Sequence, residues 1–236
     1  MIDATLDRDR IASVIDGGEI DLELQPILDL ADRQPVGFEA LARFYAPPQR
    51  APDVWFHTAA SLGLGEALER LAVRAALDLL DDLPDDTTIS INVSPEIAVS
   101  DVLFDLVAPV AERLILEVTE HALVDDYDKL RTALARLRAL GARVAIDDVG
   151  AGFATLSHIL SLCPDIVKLD VSLVRNIDSD PWRRALAGSF VTFAREIDAT
   201  IVAEGVETVE EFELLRELGV RYGQGFYLGP PQPWLN

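Results

Sequence analysis

Six hydrophobic runs in this chain each end in a polar group able to bind a metal or move a proton. Phe38 leads into Glu39, Ile89-Ser90-Ile91 into Asn92, and Leu114-Ile115-Leu116 into Glu117. Val144-Ala145-Ile146 leads into Asp147-Asp148, Ile166-Val167 into Lys168, and Ile201-Val202-Ala203 into Glu204. A seventh run reverses the order, with Gln224 ahead of Phe226-Tyr227-Leu228. Most of these groups are hard oxygen donors, which favour Mg²⁺ or Mn²⁺ over softer metals. Two such cations about 3.5–4 Å apart suit in-line attack on a phosphodiester. Lys168 could orient or help deprotonate the attacking water, and Glu204 could relay protons. Arg43 is placed to meet a phosphate. Taken singly, each residue has an ordinary reading: a strand-end acid is usually a loop or capping residue, and a lone Lys an ion-pair partner. Their recurrence at intervals of about one structural repeat points instead to strand ends converging on one site.

The elements that would position them are legible. Strand candidates cover 21–30, 35–44, 87–94, 113–120, 143–149, 165–170, 200–206 and 221–228. Several are aliphatic throughout, as expected for strands buried on both faces. Helical stripes fall at 66–82, 126–140, 181–198 and 207–218, with apolar residues near helical spacing. The segment Leu137-Arg138-Ala139-Leu140-Gly141-Ala142-Arg143 is echoed by Leu215-Arg216-Glu217-Leu218-Gly219-Val220-Arg221. In both, a Leu-rich helical turn meets a Gly and then a strand, which is the joint of a repeating βα unit. Only Ala31 to Gln34 separates the first two strands. A parallel crossover needs roughly a dozen residues or more, so these two must form an antiparallel hairpin. The expected fold is α/β: a (β/α)₈ TIM-like barrel with an antiparallel first strand. An open α/β sheet is the alternative.

Composition narrows the function. The chain has 236 residues, 50% of them hydrophobic, and no low-complexity linker, so 1–236 reads as a single domain. A net charge of −21 argues against binding a DNA or RNA duplex, which relies on Lys and Arg to neutralise phosphates. An anionic substrate would need metal ions and a few placed basic residues. The single Cys163 cannot form an internal disulfide or a thiolate cluster, which fits a cytoplasmic setting. His57, His121 and His158 lack zinc-motif spacing. Signal-peptide and membrane-span patterns are not expected here.

At Glu39-Ala40-Leu41 these residues meet a family pattern. The chain resembles the EAL-domain cyclic di-GMP phosphodiesterases from about Arg10 to Pro231. The resemblance rests on an ordered series: Gln25-Pro26-Ile27, Glu39-Ala40-Leu41-Ala42-Arg43, Asn92-Val93-Ser94 and Glu117-Val118-Thr119-Glu120. It continues through Asp147-Asp148-Val149-Gly150-Ala151-Gly152, Lys168-Leu169-Asp170, Glu204-Gly205-Val206-Glu207 and Gln224-Gly225-Phe226. It implies a bacterial signalling enzyme, commonly a homodimer, that hydrolyses cyclic di-GMP to linear pGpG. It further implies that Glu39, Asn92, Glu117 and Asp147 hold one metal, with Asp147 and Asp148 serving a second. Lys168, Glu204 and Gln224 match catalytic positions. Gln25, Leu41, Arg43 and Glu207 match positions around the substrate. Glu120 matches a glutamate steadying the loop after the aspartates, and Asp170 matches an acid near the metals and is counted with the metal-site residues.

Two departures stand out. Val149 replaces the usual Phe, and Phe153-Ala154-Thr155 replaces Tyr-Ser-Ser, which would weaken the loop's coupling to metal binding and dimerisation. Phe44 stands where Trp is common, a change expected to touch substrate packing. Neither removes a ligand or proton-transfer group. The alternative function is a catalytically weak receptor that binds cyclic di-GMP without cutting it. A pure protein–protein interaction domain and an enolase-like metal barrel are further alternatives.

Overall fold

The structure is a computed structural model, which describes residues 4–18, 20–45, 49–118, 126–150 and 156–234. Among the described residues, nine strands form one sheet: β1 (Asp21–Asp29), β2 (Pro35–Arg43), β3 (Thr88–Val93), β4 (Leu114–Val118), β5 (Arg143–Val149), β6 (Ile166–Leu169), β7 (Thr200–Ala203), β8 (Tyr222–Gly223) and β9 (Gln232–Pro233). β2 to β8 pair in parallel in sequence order, and β1 closes the ring by pairing antiparallel with both β8 and β2. The barrel and its reversed first strand match the expected fold. β9 adds a short antiparallel pairing on β1 that the sequence pattern did not reveal.

The hairpin register sets Gln25 opposite Glu39 and Asp21 opposite Arg43. β4 and β6 are buried along their whole length, as their unbroken aliphatic runs require. Their outward side chains join the large core beneath the helices, which includes Leu116, Val118, Val167 and Leu169. Their inward ones, Ile115 and Ile166, pack inside the barrel with Ile27, Ala145 and Val202.

Helices run Gly65–Asp78, Tyr127–Arg138, Pro181–Glu196 and Val209–Leu218, each a little shorter than its stripe in the sequence. The last three start at side-chain caps: Asp126, Asp180 and Thr208. Both predicted glycine joints are left-handed, with φ of 98° at Gly141 and 84° at Gly219. The last strand is much shorter than 221–228. Gln224 extends the ladder by donating to Ala203 O at 2.8 Å, and the chain then folds back, so that Tyr227 N donates to Val206 O at 3.0 Å. Among the described residues, no helix is long and apolar enough to cross a membrane.

Candidate active site

A regular strand turns alternate side chains to opposite faces. In a closed barrel one face is the interior, so residues of one parity must meet there. Glu39 in β2, Glu117 in β4, Asp147 in β5 and Lys168 in β6 all have this inward parity. The expectation that they sit at strand ends needs refining: Glu39 is the fifth residue of a nine-residue strand, and Glu117 and Lys168 are penultimate.

Lys168 is the hub. Its side chain is 1% exposed, and its Nζ lies 2.6 Å from Glu117, 2.7 Å from Glu204, and 3.3 Å from both Glu39 and Asp147. Asn92 Nδ2 donates to Glu39 Oε1 at 3.1 Å. Gln224 Nε2 donates to Glu39 Oε2 at 2.7 Å and to Gln25 Oε1 at 2.8 Å. Gln25 in turn donates to Gly229 O at 3.1 Å, tying β1 to the segment beyond β8. Seven of the sequence-selected residues thus form one bonded network around Lys168.

Asp148 joins from an irregular position. Adjacent residues of a regular strand diverge, yet Asp147, Asp148 and Glu204 bring one oxygen each to within 4.8 Å of one another. The β5–β6 register shifts between Ile146 and Val149, and Asp148 takes φ of 55°. Such a bulge re-aims a side chain, and Asp is among the residues that tolerate left-handed backbone. The turn is held by Asp148 N donating to Asp147 Oδ1 at 2.9 Å.

Four carboxylates face one ammonium here, out of bulk water. Burial is the main force pushing the Glu117 carboxyl up to about 8; the charge of Glu39 adds to it and Lys168 opposes it. Burial, with Asp147 and Glu39, also holds Glu204 well above the usual carboxylate range against Lys168. Burial alone would lower the Lys168 pKa, but its four acidic neighbours outweigh that and raise it well above the usual value.

The residues fit hard divalent cations. Glu39, Glu117 and Asp147 already converge on one cationic atom, while Asp147, Asp148 and Glu204 form a second, overlapping group. Gln224 Oε1 is buried and meets no protein donor among the described residues, leaving an uncommitted acceptor on a side chain whose amide nitrogen is bonded to Glu39.

Other expected residues lie elsewhere. Arg43, at the end of β2, donates to Glu23 at 2.8 Å and to Ala42 O at 3.0 Å, and it stays partly exposed beside Leu41. Asp170 is buried, but its Oδ1 caps the helix Val171–Val174 by accepting from Ser172 N at 2.9 Å. Glu207 is exposed and pairs with Arg175, away from the Lys168 network. Glu120 and Phe153-Ala154-Thr155 lie outside the described residues. Phe44 is buried and stacks on Trp55 with ring centroids 4.7 Å apart. It packs in a core cluster that includes Ile11 and Leu68.

Two residues beyond the initial selection hold the site's loops. Glu211 is 2% exposed and accepts from Asn176 N, Glu207 N and Thr208 N, fixing the loop after Glu204. Its signal was available in the Thr-x-x-Glu capping box at Thr208. Glu69 accepts from Ser94 N at 2.9 Å and anchors the turn after Asn92. Burial raises its pKa, against that hydrogen bond. No local pattern marks Glu69, because its partner is 25 residues away.

Fold and site together define a barrel protein with a buried lysine–carboxylate centre whose donors fit a hard divalent cation. The chain belongs to the EAL domain family, which matches residues 8–231. It is 35% identical over 246 residues to an uncharacterized signaling protein of Caulobacter vibrioides, covering 99% of this chain and 30% of that one. It is 32% identical over 228 residues to the cyclic di-GMP phosphodiesterase NbdA of Pseudomonas aeruginosa, covering 91% of this chain and 29% of NbdA. The manganese and cyclic di-GMP complex of Klebsiella pneumoniae BlrP1 superposes with a TM-score of 0.79 at 32% identity, over 90% of this chain and 56% of that one. The chain spans about a third of the length of these curated relatives.

Proposed function

We propose that this chain hydrolyses one phosphodiester bond of cyclic di-GMP, giving linear pGpG, in a reaction that depends on two Mg²⁺ or Mn²⁺ ions. The observation that carries the reading is the convergence of Glu39, Glu117, Asp147 and Glu204 on Lys168 inside the barrel. The names of NbdA and of the BlrP1 complex support the substrate.

Glu39, Asn92, Glu117 and Asp147 would hold one ion, and Asp147 with Asp148 the second. Bound there, the metals supply Lewis-acid polarisation of the phosphoryl group and a more acidic water. Around them the chain's own groups do the remaining work. Lys168 offsets charge within the carboxylate cluster and orients the attacking water. Glu204, with its raised affinity for a proton, carries a proton between that water and the leaving oxygen. Gln224 uses its uncommitted Oε1 to accept a hydrogen bond from the water, while its amide nitrogen is fixed by Gln25 and Glu39. Arg43 meets a phosphate from the rim, with Leu41, Gln25 and Glu207 bordering the substrate. Asp170 serves from the rim by fixing the turn after β6.

In this reading 1–236 forms one EAL domain, works as a homodimer and acts in the cytoplasm. Purified chain incubated with cyclic di-GMP and either metal should yield pGpG on ion-exchange chromatography. Folded protein that binds the nucleotide and yields no product with either ion would leave the receptor alternative in its place. Sedimentation would give the oligomeric state.

A further inference from the structure

The inward parity that assembles the acidic centre continues below it. One strand step toward the N-terminal end, positions that fill a barrel core with bulky aliphatic residues elsewhere carry Ser90 in β3 and Ala145 in β5. The result is a cavity of about 40 Å³ in the barrel interior. Glu117 and Lys168 line it at the catalytic end, and Thr88, Arg143 and Tyr222 line it toward the N-terminal mouth. Ser90 lines its wall. Ser90 is 1% exposed, and among the described residues its hydroxyl has no protein partner.

A buried hydroxyl left without a hydrogen bond is costly, and native proteins rarely tolerate one. A wholly apolar cavity stays dry; this one is walled largely by aliphatic side chains, but Ser90, Thr88, Glu117, Arg143 and Lys168 give it the polar partners a buried water needs, at roughly 10–15 Å³ of such volume per molecule. We propose that this cavity is a hydrated chamber holding about three waters, anchored on Ser90, which support Glu117 and Lys168 from the side opposite the substrate. Ser90 is then a positioning residue, acting on the reaction through water and the lysine–carboxylate pair. The alignment fits this role: Ser90 sits beside Glu39 in the β2–β3 register and beside Ile115, two residues before Glu117, in the β3–β4 register. Thr88 already donates its hydroxyl to Val36 O at 3.1 Å, so it offers the chamber an acceptor.

The positioning role rests on the phosphodiesterase reading; the hydration does not. The test therefore has two arms. A high-resolution crystal structure of this chain should show ordered waters in the chamber, one within hydrogen-bond distance of Ser90 Oγ. A dry chamber, or an anion seated on Arg143 in place of water, overturns the proposal. In the second arm, Ser90→Thr and Ser90→Val are compared, since they share a shape and differ in the hydroxyl. Thr should keep kcat within about 2-fold of wild type, and Val should lower it about 10-fold with KM unchanged. Equal rates for the two remove the positioning role. If the Val variant fails to fold, Ser90→Ala with an unchanged melting temperature replaces it, and a rate equal to wild type is then the overturning result. A wild type without turnover counts against the phosphodiesterase reading, and the chamber is then judged on its waters.

Discussion

Lys168 Nζ lies 2.6 Å from Glu117 Oε2, and both side chains are 1% exposed. This pair joins β6 to β4 across the inside of the barrel, 51 residues apart in the chain. An ammonium in this position holds together carboxylates that would otherwise repel. Lys168→Ala should therefore lower turnover by about 10²-fold or more while nucleotide binding is largely kept. The metal-free variant should also lose about 3 kcal/mol of stability in urea unfolding, because breaking a buried pair leaves uncompensated charge.

Glu39 accepts from Asn92, Gln224 and Lys168 together. Glu39→Ala removes a proposed metal donor and the shared acceptor of two side-chain amides. Metal affinity measured by calorimetry should fall at least about 10-fold, and turnover should collapse, with the circular dichroism spectrum unchanged.

The acidic centre makes metal-free stability depend on pH. Folded Glu117 keeps its proton up to about 8, whereas the unfolded chain releases it near the ordinary glutamate value of 4.5. Between these values the folded state binds more protons, so stability falls as pH rises. Glu204 is shifted the same way. Chelator-treated protein should melt at a lower temperature at pH 8 than at pH 6. Mg²⁺ or Mn²⁺ should reverse the loss, and metal uptake should release protons, seen as a dependence of the calorimetric heat on buffer ionisation.

Arg43 touches Glu23 and remains open to solvent at the barrel mouth. In the proposed reading it contacts a phosphate alike in ground and transition states, so it should govern binding. Arg43→Ala should raise KM about 10-fold with a small change in kcat.

Glu211 accepts three backbone N–H groups from two loops. Glu211→Ala leaves those donors unpaired and should cost about 2 kcal/mol of stability. Turnover should fall as Glu204 loses its support, and the loop after β7 should become sensitive to limited proteolysis. Glu211→Gln, which retains one acceptor, should recover part of both losses.

Local physics made much of the fold legible. The four-residue gap at Ala31–Gln34 forces an antiparallel hairpin, and β1 pairs antiparallel with β2 as required. Aliphatic runs such as Leu114-Ile115-Leu116 read as doubly buried strands, and the Gly141 and Gly219 joints read as helix ends. Residue type and interval also selected the members of the acidic centre. The last strand resisted this reading, because Phe226-Tyr227-Leu228 is apolar enough for a strand but folds back after Gln224.

The sequence by itself determined which side chains could do the chemistry, and that successive strands would deliver them at regular intervals. Closure of the barrel decided which of them meet, since only closure places Glu39 and Lys168, 129 residues apart, within 3.3 Å. The bulge at Asp148 turned two neighbouring acids toward one centre, against the divergence of a regular strand. Tertiary contacts likewise made Asp170 a helix cap and buried Phe44 against Trp55. Spacing along the chain records the period of the strands; convergence depends on the angle at which the ring shuts, to which no local stretch of sequence refers.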